Sequence, residues 1–104
     1  MSVYLVAKFR VHPHKEHEFA PIGRRISEVI SKRTGWELVA ALVSLTGAQH
    51  ECVHLWKLPD ANALAMLPSV IEADDMPAVG DFMGCVDSEE FQLMSELEYS
   101  PGSA

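Results

Sequence analysis

Cysteine is scarce in this sequence, since only Cys52 and Cys85 occur among its 104 residues. Small secreted domains that depend on disulfides carry many more cysteines, so this composition excludes a disulfide scaffold and favours the reducing cytoplasm. Cys52 falls on a predicted central strand and Cys85 follows a predicted helix, so we expect both thiols to stay free. The opening segment also lacks a basic stretch ahead of its apolar residues, and no signal peptide is predicted.

Long apolar runs are absent too, because no stretch approaches the roughly 18–20 residues that a membrane helix needs. Lys and Arg are missing from the chain after Lys57, because all eight lie at or before that residue, and the net charge is −7. An acidic chain has no electrostatic footprint for nucleic acid or an anionic membrane, so neither partner is expected. The cluster of Arg24, Arg25, Lys32 and Arg33 lacks a Gly-rich loop, which favours a solvated helix face over a phosphate site.

The composition is that of a globular protein, with 48% hydrophobic and 22% charged residues. At this length we predict a single domain over residues 1–100, followed by a frayed tail at 101–104. A chain of this size buries only a marginal core, which a partner subunit would help to stabilise.

Two periodicities divide the chain into strands and helices. Apolar residues recur at every second position in three segments and at spacings of three and four in the predicted helices. A fourth segment, residues 36–45, is β-rich and nearly all apolar, which is typical of a strand covered on both faces or buried in a dimer interface. The predicted strands are residues 2–11, 36–45, 50–58 and 89–99. The predicted helices are residues 14–33, 60–71 and 74–84, and Pro21 should kink or divide the first. The order β-α-β-β-α-β predicts an α+β, ferredoxin-like fold with a four-stranded antiparallel sheet and the helices on one face.

The other face of the predicted sheet is too apolar to meet water. Its predicted apolar residues are Val39, Ala41, Val43, Val53 and Leu55. The simplest cover is the sheet of a second subunit, so the sequence predicts a two-fold homodimer.

Three segments carry a resemblance to a known family. They are the opening VYLVAKFRVHPHKEHEF, the hairpin end VHLWKLPDANA and the final strand FQLMSELEY. Over about residues 2–100 the chain resembles the NIPSNAP-like domains of the dimeric α/β-barrel superfamily. The resemblance implies a homodimer whose two sheets face each other, with a cavity between sheet and helices in each subunit.

Relatives in that superfamily include cofactor-independent monooxygenases of polyketide quinones, haem-degrading oxygenases, small lactone isomerases and polyketide cyclases. NIPSNAP-like members mostly lack an assigned reaction, so the resemblance indicates the fold better than the chemistry. The haem-degrading relatives need a pocket Asn on the first strand and a haem-ligating His on the second helix. Ala7 stands in the approximate place of that Asn, and no histidine follows His54. No haem or other cofactor is therefore expected.

His54 is the candidate catalytic residue. It alternates with Cys52 and Trp56, and the family pattern turns that face of the strand toward the helices and the cavity. A neutral imidazole there could act as a general base or acid, because its pKa lies near neutral pH. The alternative is a core histidine hydrogen-bonded to a backbone carbonyl or a buried acid.

Five further residues are candidate substrate contacts, offering a flat wall, a small apolar surface, a hydroxyl or an adaptable lining. They are Trp56, Cys52, Ser95, Phe9 and Met66. Ordinary core packing explains most of them equally well. His12, His14 and His17 invite a metal interpretation, but they span a strand end, a proline link and a helix start, so no metal site is predicted.

Three functions follow as hypotheses. The first is a small cofactor-independent enzyme of monooxygenase, isomerase or cyclase type that acts on a small hydrophobic molecule, with His54 transferring a proton. The second is a non-catalytic dimeric ligand-binding or scaffolding domain. The third is a metal- or haem-dependent protein that uses the histidines.

Overall fold

Four strands form one antiparallel sheet in the computed structural model, which describes residues 2–47 and 49–101. The strands are β1 (Val3–Val11), β2 (Glu37–Val43), β3 (Glu51–Leu58) and β4 (Val86–Ser95), and the helices are α1 (Glu16–Thr34), α2 (Ala63–Val70) and α3 (Met76–Met83). Short 3-10 turns at Pro13–Lys15 and Ala73–Asp75 precede α1 and α3. With the strand order β2-β3-β1-β4, the predicted ferredoxin-like α+β fold is confirmed. Ala48 of the predicted turn and residues 102–104 of the predicted tail lie outside the described residues.

The helices cover one face of the sheet because β1 and β3 turn every second side chain toward them. One apolar cluster joins Ala7 and Phe9 of β1 to Ile26 of α1 and Phe82 of α3. A second cluster lies toward α2 and contains Leu5, Trp36, Trp56, Leu58 and Ala63. The two clusters hold all three helices against the same side of β1 and β3.

Helix α1 is continuous across Pro21, so of the two outcomes predicted there, a kink or a division, the division is wrong. Proline removes a single helical hydrogen bond, the one that would reach back to His17. That loss falls close to the exposed first turn, where the chain tolerates it. The helix ends at Gly35, whose backbone φ of 77° is left-handed and whose N–H donates to the Ser31 carbonyl at 2.8 Å.

Strand β4 begins and ends earlier than predicted. It runs alongside β1 from the pair Val11 and Val86 to the pair Val3 and Ser95. Since β1 begins at Val3, no strand remains to pair with the residues after Ser95. Tyr99, predicted on this strand, therefore lies beyond it and is 80% exposed.

A register shift between Leu38 and Ala40 divides β2 into two parts. The extra residue, Val39, reverses the alternation, so Ala41 and Val43 pair with His54 and Cys52 and share their face. The prediction that Ala41 and Val43 lie on the face away from the helices is therefore wrong. Val53 and Leu55, which alternate with the buried residues of β3, lie on that face as predicted.

An ion pair joins the end of α1 to the start of α3. Arg33 donates to both carboxylate oxygens of Asp75, from Nε at 2.8 Å and from Nη2 at 3.1 Å. The backbone N–H of Glu72 donates to the same carboxylate at 2.9 Å. The hydrogen bond from Arg33 is the main reason why the pKa of Asp75 lies below its ordinary value. One member of the basic cluster is thus a structural cation that fixes how α1 meets α3.

Replacing Asp75 with Asn should lower stability toward urea at pH 7, and the deficit should shrink on acidification. The pKa of Asp75 is depressed in the folded protein, so its stabilising contribution is present above the unfolded pKa of about 3.9 and disappears as pH falls through the folded value. Urea unfolding of both proteins between pH 7 and pH 2 measures the difference. The neighbouring exposed residue supplies the control, Asp74→Asn, which should change little. An equal deficit for Asp75→Asn at pH 7 and pH 2 would contradict the ion-pair explanation.

Candidate functional site

A groove runs between α1 and the β2–β3 half of the sheet. We call it the α1 groove; it is lined by Phe19, Gly23 and Ser27 of α1, Ala41 of β2, and Cys52 and His54 of β3, and it has a volume of about 510 Å³. The groove exists because α1 packs against the core around β1 and α3, which leaves the helix-side face of β2 uncovered. Val43, on that face, is 64% exposed.

His54 lies at the floor of the groove between two small residues. Its cross-strand neighbours are Ala7 on β1 and Ala41 on β2, so neither strand places a bulky side chain beside the ring. The ring of Phe9 meets the imidazole edge-on with centroids 5.1 Å apart, and that of Phe19 lies at 6.4 Å. The histidine is 6% exposed, in mostly aromatic and apolar surroundings.

The His54 ring nitrogens reach the groove rather than a protein partner. The side-chain hydrogen bonds of residues 2–47 and 49–101 do not include one to His54. In the same part of the chain, every fully enclosed side-chain nitrogen or oxygen has a hydrogen-bond partner. The His54 ring nitrogens have none there, so they are not fully enclosed. Among the described residues, no carbonyl or acid holds His54 as a hydrogen-bonded core histidine.

Burial lowers the pKa of His54 below the ordinary value for histidine. Desolvation penalises the charged imidazolium, so the ring is neutral at pH 7 and has a nitrogen free to accept a proton. The charged groups that border the groove are Arg24 and Glu28, one of each sign.

An NMR titration of the His54 ring should give a midpoint below about 6.5, the ordinary histidine value. The unfolded chain then binds the proton more readily than the folded one, so stability should fall as pH drops from about 6.5 to the folded pKa. Urea unfolding from pH 8 to pH 5 measures this slope, and the His54→Gln variant should lack the His54 part of it. A midpoint at or above 6.5 would contradict a desolvated ring.

Cys52 lies in the groove beside His54 but is poorly suited to be a nucleophile. It pairs with Phe9 on one side and Val43 on the other. Burial, and secondarily the charge of Glu51, raises the pKa of its thiol. The protonated form therefore dominates at neutral pH, and Cys52 serves as a small apolar wall.

Cys52 and Cys85 are both free and buried, which confirms the prediction that the two thiols do not form a disulfide.

Three of the predicted site residues lie together and three lie elsewhere. His54 and Cys52 line the groove, and Phe9 is buried beside them in the core, edge-on to His54 and paired with Cys52. Trp56 packs against Trp36 at 6.3 Å in the second apolar cluster. Ser95 is exposed at the end of β4, and Met66 on α2 borders a separate depression of about 420 Å³.

Sequence reasoning missed the residues of α1 that face His54. Phe19, Gly23 and Ser27 recur every four residues, so they form a single stripe along the helix. Because Gly23 and Ser27 are small, they leave a gap beside Phe19 in an otherwise apolar helix face. An aromatic residue followed by two small residues at intervals of four is therefore the sequence pattern that indicates the groove.

The groove continues toward a polar end. An adjoining depression of about 450 Å³ shares Phe19 and Cys52 with it and extends to Glu16 and His50. His50 contacts the carboxylate of Glu16 through Nδ1. The two depressions together form an elongated cleft with His54 at its apolar end.

The remaining histidines do not form a metal site within the described residues. No three His, Cys, Asp or Glu side chains there come together at a distance suited to one ion. His12 instead contacts the Asp87 carboxylate at 2.7 Å. None of the described helices is both long enough and apolar enough to cross a membrane.

Comparison with known proteins supports the fold and does not assign a reaction. No protein-family model matches the chain, and no curated protein matches it. Solved structures do: a NIPSNAP family protein from Agrobacterium tumefaciens is 15% identical with a TM-score of 0.84, over 98% of this chain and 99% of that one. An uncharacterized NIPSNAP domain protein from Burkholderia xenovorans is 16% identical with a TM-score of 0.80, covering 97% and 99%.

A third similar structure is that of an enzyme. SnoaB, a cofactor-independent oxygenase from Streptomyces nogalater, is 17% identical with a TM-score of 0.72, over 96% of this chain and 97% of that one. The chain therefore has the fold of these NIPSNAP family proteins and of this oxygenase, as the sequence resemblance implied. At these identities the similarity concerns the fold alone.

Proposed function

We propose that this protein is a small cofactor-independent enzyme that binds a small hydrophobic organic molecule in the α1 groove and removes a proton from it with His54. The observation that carries the proposal is the state of His54: a neutral imidazole at the floor of an apolar groove, with no hydrogen-bond partner among the described residues. A ring nitrogen without a protein partner is available to a ligand.

The groove suits a ligand of modest size and low polarity. Its volume of about 510 Å³ lies in the range of about 300–1,000 Å³ that is typical of small-molecule sites. Most of its walls are aromatic or aliphatic, and His54 and Ser27 are the polar groups at its floor. We infer a ligand with one polar group that meets the imidazole and an apolar body that fills the remaining space.

Proton removal is the step that the three candidate reaction types share. Oxygenation without a cofactor, isomerisation and cyclisation can each begin when a base takes a proton from an acidic C–H or O–H group and leaves an enolate or phenolate. The His54 imidazole can accept a proton near pH 7, because burial lowers its pKa and keeps the ring unprotonated there. SnoaB, with the same fold, is described as a cofactor-independent oxygenase, which makes oxygenation one member of this group.

The test is proton exchange into a carbon acid. β-Tetralone, a bicyclic ketone with acidic hydrogens beside its carbonyl, fits the inferred size and polarity. In D₂O the wild-type protein should accelerate deuterium incorporation into β-tetralone above the rate in protein-free buffer, and the ligand should shift the NMR signals of groove residues. Binding without acceleration would favour the alternative, a non-catalytic ligand-binding domain, and absence of both would contradict the proposal.

We also propose that two copies pair through the sheet face opposite the helices. The centre of that face is apolar, formed by Val6 of β1, Ala40 of β2, and Val53 and Leu55 of β3. Contiguous apolar surface of this kind is typical of protein interfaces. A second copy covers it with the same residues, and sedimentation should give twice 11.5 kDa.

The two free thiols agree with a reducing compartment, which we propose is the cytoplasm.

A further inference from the structure

We propose that Gly23 is the specificity-determining residue of the α1 groove: because it lacks a side chain, the polar edge of a flat aromatic ligand can reach Nε2 of His54. This inference rests on the proposed function and names its ligand class. Gly23 lies in the interior of α1 and is buried directly above His54.

The backbone does not require glycine at this position. Unlike Gly35 and Gly47, Gly23 does not adopt a left-handed φ. It occupies an ordinary helical conformation that any residue except proline adopts readily. Glycine in a helix interior is less stable than alanine, because it loses more conformational freedom on folding. The helix would therefore be more stable with alanine.

Packing does not require glycine either. A Cβ at position 23 would lie 3.6 Å from Phe19 Cε2 and 4.0 Å from His54 Nε2, which are ordinary contact distances. Alanine would fit without moving its neighbours. What alanine would remove is the free space next to Nε2, where a ligand atom must lie to hydrogen-bond with the ring.

The lining of that space favours a flat ligand. The helix presents only its backbone at Gly23, and beside His54 the strand β2 presents the methyl group of Ala41, with larger aliphatic side chains lining the groove farther along β2. The Phe19 ring lies 6.4 Å from the His54 ring. A planar aromatic molecule with a carbonyl or hydroxyl group at its edge can stack on Phe19 and place that group at Nε2.

The test compares two graded substitutions with matched controls. Gly23→Ala and Gly23→Leu fill the space at His54, whereas Gly80→Ala and Gly80→Leu alter a glycine of α3 that has nothing within 4 Å. Both alanine variants should raise Tm by about 2–6 °C, because alanine stabilises a helix interior. A structural role for Gly23 would instead lower Tm in Gly23→Ala.

The first readout needs no ligand. Diethyl pyrocarbonate acylates accessible neutral imidazoles, and mass spectrometry of the peptides gives the rate at His54, with exposed His14 and His17 as internal references. The rate at His54 should fall about tenfold in Gly23→Leu, since a side chain then occupies the space beside Nε2, and it should not change in Gly80→Leu. Equal rates in both leucine variants would overturn the inference and leave the proposed function intact, whereas an unreactive His54 in the wild type would overturn both.

The second readout is binding of β-tetralone, followed by NMR. Gly23→Ala should weaken binding about tenfold, because an added methyl group competes for occupied space, while Gly80→Ala binds as the wild type does. Unchanged binding in Gly23→Ala would overturn the inference. A wild type that is acylated at His54 yet does not bind β-tetralone would overturn the proposed function instead, and with it the ligand class named here.

Discussion

Replacing His54 with glutamine is expected to lower the rate of deuterium incorporation into β-tetralone by about 10²–10⁴-fold, the usual contribution of a general base. Glutamine keeps part of the volume of the imidazole and can still donate and accept hydrogen bonds, but it cannot take up a proton near neutral pH. His54 forms no side-chain hydrogen bond with the described residues, so the change breaks none of their hydrogen bonds. We therefore expect Tm to stay within about 5 °C of the wild type.

Exposed histidines provide the matched controls. His14 and His17 lie at the surface before and within the first turn of α1. The His14→Gln and His17→Gln variants should catalyse deuterium incorporation into β-tetralone at the wild-type rate. If His54→Gln also keeps that rate, His54 is not the base. A large drop in Tm together with unchanged β-tetralone binding would identify His54 as a core residue whose role is packing.

Replacing Leu55 with glutamate is expected to raise the dissociation constant of the proposed dimer by at least about 100-fold, since like charges facing each other at an interface cost several kcal/mol. Leu55 pairs with Val6 and Ala40 at the centre of the open sheet face. In a two-fold interface the same residue comes from both copies, so each substitution places two carboxylates in one apolar contact. Sedimentation velocity at micromolar protein should change from about two chains to one.

Met66→Glu is the control for the dimer experiment. Met66 is 61% exposed on α2, so the variant adds the same charge on the helix side of the molecule. It should sediment as the wild type does. Circular dichroism should show folded protein for both variants, because Leu55 is only half-buried in one copy. A folded wild type that sediments as a single chain of 11.5 kDa would contradict the dimer.

Most of the strands, and so their order along the chain, could be predicted from the sequence. Their signal is a period of two, which is a direct consequence of pleated backbone geometry. The same rule failed within β2. Val39 is an extra residue without a partner, and alternation counted across it assigns Ala41 and Val43 to the wrong face. A bulge depends on how two strands meet, so a single strand's pattern does not reveal it. The end of β4 was misplaced for a related reason, since β1 determines where its pairing stops.

The sequence predicted the part of the candidate site on β3, His54 and Cys52, but not the part on α1. Alternation predicts that both residues lie on one face of β3, and the family resemblance predicts that this face meets the helices, as it does in the structure. Trp56 shares that face, yet it lies under α2 in a different cluster, because the face is longer than the groove. Which part of the face stays open depends on where α1 crosses the sheet. That crossing follows from packing among several elements and is not encoded in any local pattern.

The position of β1 at the centre of the sheet has a consequence for folding kinetics. β1 pairs with β3 on one side and with β4 on the other, and Val3 is matched with Ser95 across almost the whole chain. Contacts between residues so distant in sequence carry a large loop-closure cost before they add stability. The β2–β3 hairpin can form locally and β1 can pair with β3, but the other edge of β1 is paired only after β4 has been synthesised. Until then, one edge of β1 is open to pairing with other chains, and its apolar row of Leu5, Ala7 and Phe9 is incompletely covered. This protein should therefore fold slowly for its size. It should be most prone to aggregation before β4 joins the sheet.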